Sequence, residues 1–98
     1  MNCYIKIHGD PQNLVIGCCD EECLGKVLQD EEYHFVVNEA FYKDKLVPIE
    51  EAIKHLEKCH NFNVVGKNII YELIKLGILS KDGTLSINGI PIALKMVL

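Results

Sequence analysis

The chain opens on a regular alternation of apolar and polar positions. Cys3 and Ile5 alternate with more polar neighbours over 3–8, the period of two that a half-buried strand requires. Turn-forming residues fill 9–13, and a second apolar run covers 14–18. This pattern predicts a β-hairpin at the start of the chain.

The following segment mixes helix and strand signals. Asp20 precedes two glutamates, as an N-cap residue would, and this predicts a short helix over 21–29. Aromatic and β-branched residues over 33–37 predict a third strand. Residues 41–45 are interpreted as a connecting loop.

Two amphipathic stretches follow. Pro48 at a first helical position, with apolar residues at helical spacing, predicts a helix from 48 to about 59. Asn61 or Asn63 can cap a third helix that runs to Leu76.

The chain ends in strand-like sequence. Asn88 and Gly89 are a hairpin signal between predicted strands over 84–87 and 90–98. The last strand is apolar on both faces. We therefore expect it to lie inside the sheet or to form a homodimer through its edge.

The order of these elements predicts an α+β fold: a two-layer sandwich of a small mixed or antiparallel sheet with about three helices. A length of 98 residues predicts a single domain over 1–98. The composition, 49% hydrophobic and 24% charged, is typical of a globular protein and not of a disordered one.

Charge is unevenly distributed along the chain. The net charge is −4 and there is no arginine, which argues against a strongly basic nucleic-acid-binding protein. Residues 58–98, however, hold five lysines against two carboxylates, a balance of +3. This C-terminal segment is a candidate surface for an anionic partner, although ordinary solvated faces produce the same charge imbalance.

Cysteine usage and hydropathy bear on location. Five cysteines, two of them adjacent, do not form an even disulfide framework and predict a reducing, cytoplasmic setting. Every apolar run is much shorter than the roughly 20 residues of a membrane-spanning helix. We therefore expect no membrane association.

The sequence motifs of several large enzyme classes are missing. We find no nucleophile elbow, no zinc-protease helix, no dinucleotide fingerprint and no complete phosphate loop. This favours a binding protein over an enzyme, and no catalytic residue is assigned.

One set of residues has zinc-ligand chemistry. Cys19 and Cys23, like His55 and Cys59, are spaced by four, which places each pair on one face of a helix. Thiolate and imidazole are the ligands of structural zinc. The alternative is that Cys23 and Cys59 are core residues and His55 lies on the surface.

A second set is suited to anions. Gly25-Lys26 and Gly66-Lys67 each place a glycine and a lysine near the opening of a predicted helix, where backbone N–H groups attract anions. Lys75 would lie about 12 Å beyond Lys67 on the same side of a helix. The alternative is that each glycine only permits close packing.

Several segments together resemble the small archaeal family called domain of unknown function 424. The segments lie in family order and are 19–26 (CDEECLGK), 41–42, 63–67, 77–78 and 87–91. The resemblance implies a compact cytosolic α+β protein of no established activity, with a connection to RNA or translation. Members commonly have an aliphatic residue in place of Cys23, which weakens the zinc set. They also tend to have a histidine-containing tail where this chain has Ile92-Ala93.

Our first hypothesis is therefore a non-catalytic protein that binds RNA or a ribosomal particle. Its expected contact residues are Gly25, Lys26, Gly66, Lys67 and Lys75. The second hypothesis is a protein-interaction module or a structural-zinc module built on Cys19, Cys23, His55 and Cys59.

Overall fold

The structure is a computed structural model that describes residues 1–97. Leu98, the end of the last predicted strand, lies outside the described residues. Its strands are β1 (Asn2–His8), β2 (Val15–Asp20), β3 (Val27–Gln29), β4 (His34–Val36), β5 (Lys45–Pro48), β6 (Phe62–Val65), β7 (Thr84–Ile87) and β8 (Ile90–Lys95). Its α-helices are α1 (Glu39–Tyr42), α2 (Ile49–Leu56) and α3 (Lys67–Lys75).

Six strands form one mixed sheet in the order β5-β1-β2-β6-β8-β7, and β3 pairs with β4 in a separate hairpin. The central pair, β2 and β6, is parallel, with Ile16 opposite Phe62. The other four pairings in the sheet are antiparallel. The α+β prediction with a mixed sheet and about three helices is confirmed.

One face of the sheet is covered by α2 and α3. Alternation in β1 turns Cys3 and Ile5 towards this face, where they join the apolar stripe of α2, formed by Ile49, Ala52 and Leu56. Helix α3 adds its own buried stripe. Burying a large aliphatic side chain in such a core stabilises the fold by roughly 1.5–3 kcal/mol.

The opposite face is covered by the β3–β4 hairpin and α1. Its core consists of Cys19, Cys23, Leu28, Val37, Tyr42, Val65 and Ile87. Gly17 of β2 leaves room for Phe41, because a Cβ at Gly17 would lie 2.7 Å from the Phe41 ring. The same ring stacks on His8 at 4.5 Å between centroids. The central strand β2 is thus buried on both faces.

Several predicted elements are confirmed. The opening strands form an antiparallel hairpin, and α2 occupies the interior of the helix predicted over 48–59. The C-terminal turn has positive φ at both Asn88 and Gly89, as a tight hairpin turn requires. No helix among residues 1–97 combines the length and apolar character needed to cross a bilayer.

The helix predicted over 21–29 is wrong. Only Glu21–Cys23 forms a short 3-10 turn. Gly25 then takes a φ of +83°, and its N–H donates to the Val37 carbonyl at 2.8 Å. The chain is thereby turned into β3, which pairs with β4.

The predicted start of the third helix is also wrong. The segment Phe62–Val65 is a central strand, and α3 begins only at Lys67. Strands buried on both faces lack polar alternation. The apolar residues of β6 therefore continue the helical spacing of α3, and the boundary between strand and helix is not visible in the sequence. The loop interpreted over 41–45 instead contains the end of α1 and the start of β5.

The C-terminal strand lies inside the sheet, which was the first of the two expectations for it. β8 is hydrogen-bonded to β6 on one side and to β7 on the other. Because β8 lies between two strands and is not an edge of the sheet, the structure does not support a homodimer through this strand. The edges of the sheet are β5 and β7.

Candidate functional site

The N-terminus of α3 is capped by a carboxylate from a neighbouring strand. Because β2 and β6 are parallel, the end of β2 lies beside the start of α3. Asp20 accepts hydrogen bonds from the backbone N–H groups of Asn68 (2.8 Å) and Ile69 (3.0 Å). Its side chain makes no capping hydrogen bond to the 3-10 turn that follows it. Asp20 is thus a cap, but of a helix nearly fifty residues further along the chain.

Gly66 is the residue that lets Asp20 reach these amides. Its φ of +128° and ψ of 148° lie in a region that is essentially reserved for glycine. A Cβ at Gly66 would lie 2.5 Å from Asp20 Oδ2 and 2.7 Å from Asp20 Cβ. The backbone N–H groups at the start of α3, which were expected to attract an external anion, therefore donate to an internal carboxylate. The Lys67 side chain stays exposed.

The Asp20 carboxyl is almost completely buried, with 1% of its surface exposed. Burial raises the pKa of Asp20, and the hydrogen bonds from Asn68 and Ile69 oppose that rise without cancelling it. The folded protein therefore holds the proton of Asp20 more tightly than the unfolded chain does.

We expect Asp20→Asn to lower the free energy of unfolding by about 1–3 kcal/mol near neutral pH, because a single amide oxygen replaces two acceptors. A raised folded pKa means that the parent gains stability as the pH falls through that pKa towards 3.8. The difference between parent and variant should therefore widen on acidification. Urea unfolding at a series of pH values measures the free energy of unfolding of both proteins. A difference between them that narrows as the pH falls would contradict the raised pKa of Asp20.

A groove of about 710 Å³ lies between α3 and the β7–β8 hairpin, on the helix-covered face of the sheet. Its lining comes from the exposed side of α3, the turn before β7, and the two last strands. We call it the lysine groove, and it is lined by Lys67, Ile70, Tyr71, Ile74, Lys75, Lys81, Thr84, Ser86, Gly89 and Pro91.

Three of the ten residues that line the lysine groove are lysines and none is acidic. Lys67 and Lys75 lie two turns apart on α3, about 12 Å along the axis. Lys81 comes from the 3-10 turn Lys81–Gly83 that leads into β7. The fold therefore concentrates positive charge from two chain segments in one place, on a protein whose net charge is −4.

Between the lysines the groove is apolar with hydroxyl groups at its border. Ile70, Ile74 and Pro91 supply apolar surface, and Thr84 and Ser86 supply hydroxyls. Tyr71 lies one turn from both Lys67 and Lys75, and 64% of its surface is exposed. Ammonium groups beside an exposed aromatic ring are suited to a ligand that carries both phosphates and planar rings.

The structure gathers only part of the predicted anion-binding set. Lys67 and Lys75 share the lysine groove, and Gly66 lies directly before it under Asp20. Gly25 and Lys26 instead belong to the chain that leads into the β3–β4 hairpin, on the opposite face of the sheet, and do not line the groove.

The four predicted zinc ligands are not brought together. Cys19 and Cys23 are buried in the core under the β3–β4 hairpin, whereas His55 and Cys59 line a cavity on the helix side of the sheet. Within residues 1–97 no three histidine, cysteine or carboxylate side chains cluster as metal ligands would. The sheet itself separates the two pairs.

The thiols of the first pair are also buried, with at most 2% of either residue exposed. Burial raises the pKa of Cys19 to about 12 and that of Cys23 to about 11. In this environment both thiols are protonated near neutral pH and pack as small apolar side chains. This is the core role that the sequence allowed for Cys23.

The chain matches a known protein family. The family described as "Protein of unknown function (DUF424)" matches residues 8–98. The chain belongs to the DUF424 family. The resemblance seen in the sequence is thereby confirmed.

A solved structure shares the DUF424 chain's fold. It is titled "Crystal structure of an uncharacterized conserved protein from Methanopyrus kandleri", and it superimposes with a TM-score of 0.78 at 21% sequence identity. The match covers 96% of this chain and 90% of that one. No curated protein matches the sequence. At this identity the similarity concerns the fold alone.

Two groove residues of this DUF424 protein are missing from the sequence-based set. Tyr71 was detectable, because it lies four residues after Lys67 and four before Lys75 on a helix, where such residues are neighbours. Lys81 was not, because only the pairing of β7 with β8 brings its turn opposite α3.

Proposed function

We propose that this DUF424 protein is a non-catalytic RNA-binding protein that holds the phosphate backbone of a single strand in the lysine groove. The observation that carries the proposal is the convergence of Lys67, Lys75 and Lys81 on one groove without an acidic lining residue. Free RNA and exposed strands of a ribosomal particle are both ligands of this kind.

The chemistry of lysine sets the type of binding. An ammonium is a point charge that attracts phosphate but does not make the planar two-point contact of a guanidinium. Lysine contacts position a backbone and read little sequence. Neutralising phosphates releases counterions, so binding should weaken steeply as salt is added.

The rest of the molecule restricts where RNA can bind. Residues 1–57 carry twelve carboxylates against five lysines, a balance of −7, so most of the remaining surface repels a polyanion. Tyr71 favours RNA over an acidic peptide, because its exposed ring between two lysines offers a stacking surface for a base. The five free cysteines support a cytoplasmic location, where disulfides are rare.

Replacing the three groove lysines together by glutamine should abolish salt-sensitive RNA binding. With three phosphates neutralised, log K for a single strand should fall with log salt with a slope of about −2 in the parent, and with a slope near zero in the triple variant. Fluorescence anisotropy of a labelled single-stranded RNA across a salt series measures both slopes. The melting temperature should barely change, because these side chains are exposed.

The matched control removes three positive charges elsewhere. Lys26, Lys43 and Lys54 are exposed and do not line the groove, so their triple glutamine variant should bind nearly as well as the parent. Equal losses in the two triple variants would show a general effect of charge. A parent without salt-sensitive RNA binding, or one from which polyglutamate displaces RNA at equal charge, would favour a protein-interaction module instead.

A further inference from the structure

A second cavity lies directly beside the lysine groove. It has a volume of about 570 Å³, within the range of pockets that hold small ligands. Lys67 and Tyr71 line both spaces and form the wall between them. We call it the acidic cavity, and its lining is Met1, Ile49, Glu50, Lys67, Asn68, Tyr71 and Glu72.

Helix geometry explains why the two spaces meet at these residues. Lys67, Tyr71 and Lys75 lie one turn apart and form a ridge along α3. Ile70 and Ile74 face the lysine groove on one side of this ridge, and Asn68 and Glu72 face the acidic cavity on the other. A ligand that crosses the ridge therefore passes over the ring of Tyr71.

The two spaces differ in charge. The lysine groove has three ammonium groups and no carboxylate, whereas the acidic cavity has the carboxylates of Glu50 and Glu72 and only one lysine, Lys67. Ionised carboxylates repel phosphate but accept hydrogen bonds. The acidic cavity therefore suits a phosphate group less well than the lysine groove does, and it suits an uncharged ring that carries N–H donors.

We propose that the acidic cavity receives one base of a single-stranded RNA and selects guanine through Glu72; this inference rests on the proposed function of the lysine groove. The backbone lies in the groove, the strand crosses Tyr71, and the base turns away from Lys75 and Lys81 into the acidic cavity. Guanine presents two adjacent N–H donors, N1–H and the 2-amino group, to the two oxygens of one carboxylate. Uracil presents a single N–H between two carbonyl oxygens, which the carboxylates repel.

The residues around Glu72 suit a base. Glu72 is half-buried, so its hydrogen bonds are less diluted by water than those of an exposed side chain. Ile49 and the ring of Tyr71 supply apolar contact for the faces of a planar ligand. The backbone N–H of Asn68 already donates to Asp20, which fixes the start of α3 and with it the position of the cavity wall.

The test compares three short single-stranded RNAs that differ at one position of a uridine tract: guanosine, inosine or uridine. Inosine lacks only the 2-amino group of guanosine. We expect the guanosine RNA to bind about tenfold or more tightly than the inosine RNA, the size of one charge-assisted hydrogen bond. The uridine RNA should bind most weakly, and all three should have the same salt slope because their phosphates are the same.

Protein variants test which residue causes the preference for guanosine. Glu72→Gln keeps the shape but not the second acceptor, so it should remove the preference for guanosine without changing the salt slope. Tyr71→Ala should weaken all three RNAs by about tenfold through lost stacking, and Tyr71→Phe should not. Glu57→Gln, the same change at an exposed residue at the end of α2, should leave the preference intact.

Failure of this inference is distinguishable from failure of the proposed function. Salt-sensitive binding that is equal for the guanosine, inosine and uridine RNAs would overturn guanine selection and leave the lysine groove as an RNA site. A preference for guanosine that survives Glu72→Gln would overturn the role of Glu72. Absence of salt-sensitive binding to every RNA would overturn both.

Discussion

Gly66→Ala should lower the free energy of unfolding by about 3 kcal/mol or more. Two costs combine: the backbone conformation at Gly66 strains any residue with a Cβ, by about 1–3 kcal/mol, and the added methyl group meets the buried Asp20 carboxyl. Overpacking of this kind adds another 1–3 kcal/mol. A small domain with a total stability of about 5–15 kcal/mol is left marginal. Urea unfolding and the melting temperature measure the loss.

The chain supplies matched controls for this substitution. Gly77 also has a positive φ, +76°, but a Cβ there would meet nothing within 4 Å. Gly77→Ala should therefore cost only the conformational term, about 1–2 kcal/mol. Asp20→Gly removes the side chain that the added methyl group would meet. In an Asp20→Gly background, Gly66→Ala should therefore lower the free energy of unfolding by less than it does in the parent, but the cost of the strained backbone should remain. Equal melting temperatures for Gly66→Ala and Gly77→Ala would contradict the close approach of Asp20.

A chain that ends at Gly89 should lose cooperative unfolding. Such a truncation removes β8, which pairs with β6 and β7 at once. The last two strands of the sheet are then lost as a unit, the backbone of β6 loses its partner on that side, and the buried Ala93 leaves the core. Circular dichroism on heating should show a broad transition without a midpoint, and gel filtration should show aggregates, because β6 becomes an unpaired edge.

A point variant separates pairing from side-chain burial. Leu94 on β8 is 60% exposed, so Leu94→Thr should change the free energy of unfolding by no more than about 0.5 kcal/mol. A truncated chain that melts as sharply as the full chain would show that the six-stranded sheet does not need β8.

The predictable parts of this fold are those in which one face meets solvent. β1 and α2 have polar residues at regular intervals, and their periods of two and 3.6 are visible in the sequence. In β6 the residues on both faces are largely buried, and Val64 and Val65 are fully so. No polar alternation remains there to distinguish a strand from the start of α3.

The candidate site shows the same limit. Lys67 and Lys75 could be paired from the sequence because both lie on one helix, where spacing fixes direction. Asp20 has the local sequence of a helix cap, but the helix that it caps lies beside it only because β2 and β6 are parallel neighbours. Lys81 likewise reaches the groove through strand pairing. Contacts that depend on topology leave no local trace in the sequence.

The parallel pair at the centre of the sheet also affects how the chain folds. Hairpins such as β1–β2 and β7–β8 close short loops, but β2 and β6 can meet only after the whole middle of the chain has been brought round, since Ile16 pairs with Phe62. Closing so long a loop costs entropy before any contact repays it, and such non-local contacts slow folding. The β1–β2 and β7–β8 hairpins are therefore expected to form early. The pairing of β2 with β6, which also brings Asp20 against the start of α3, is expected to follow slowly, as is the equally long-range pairing of β1 with β5.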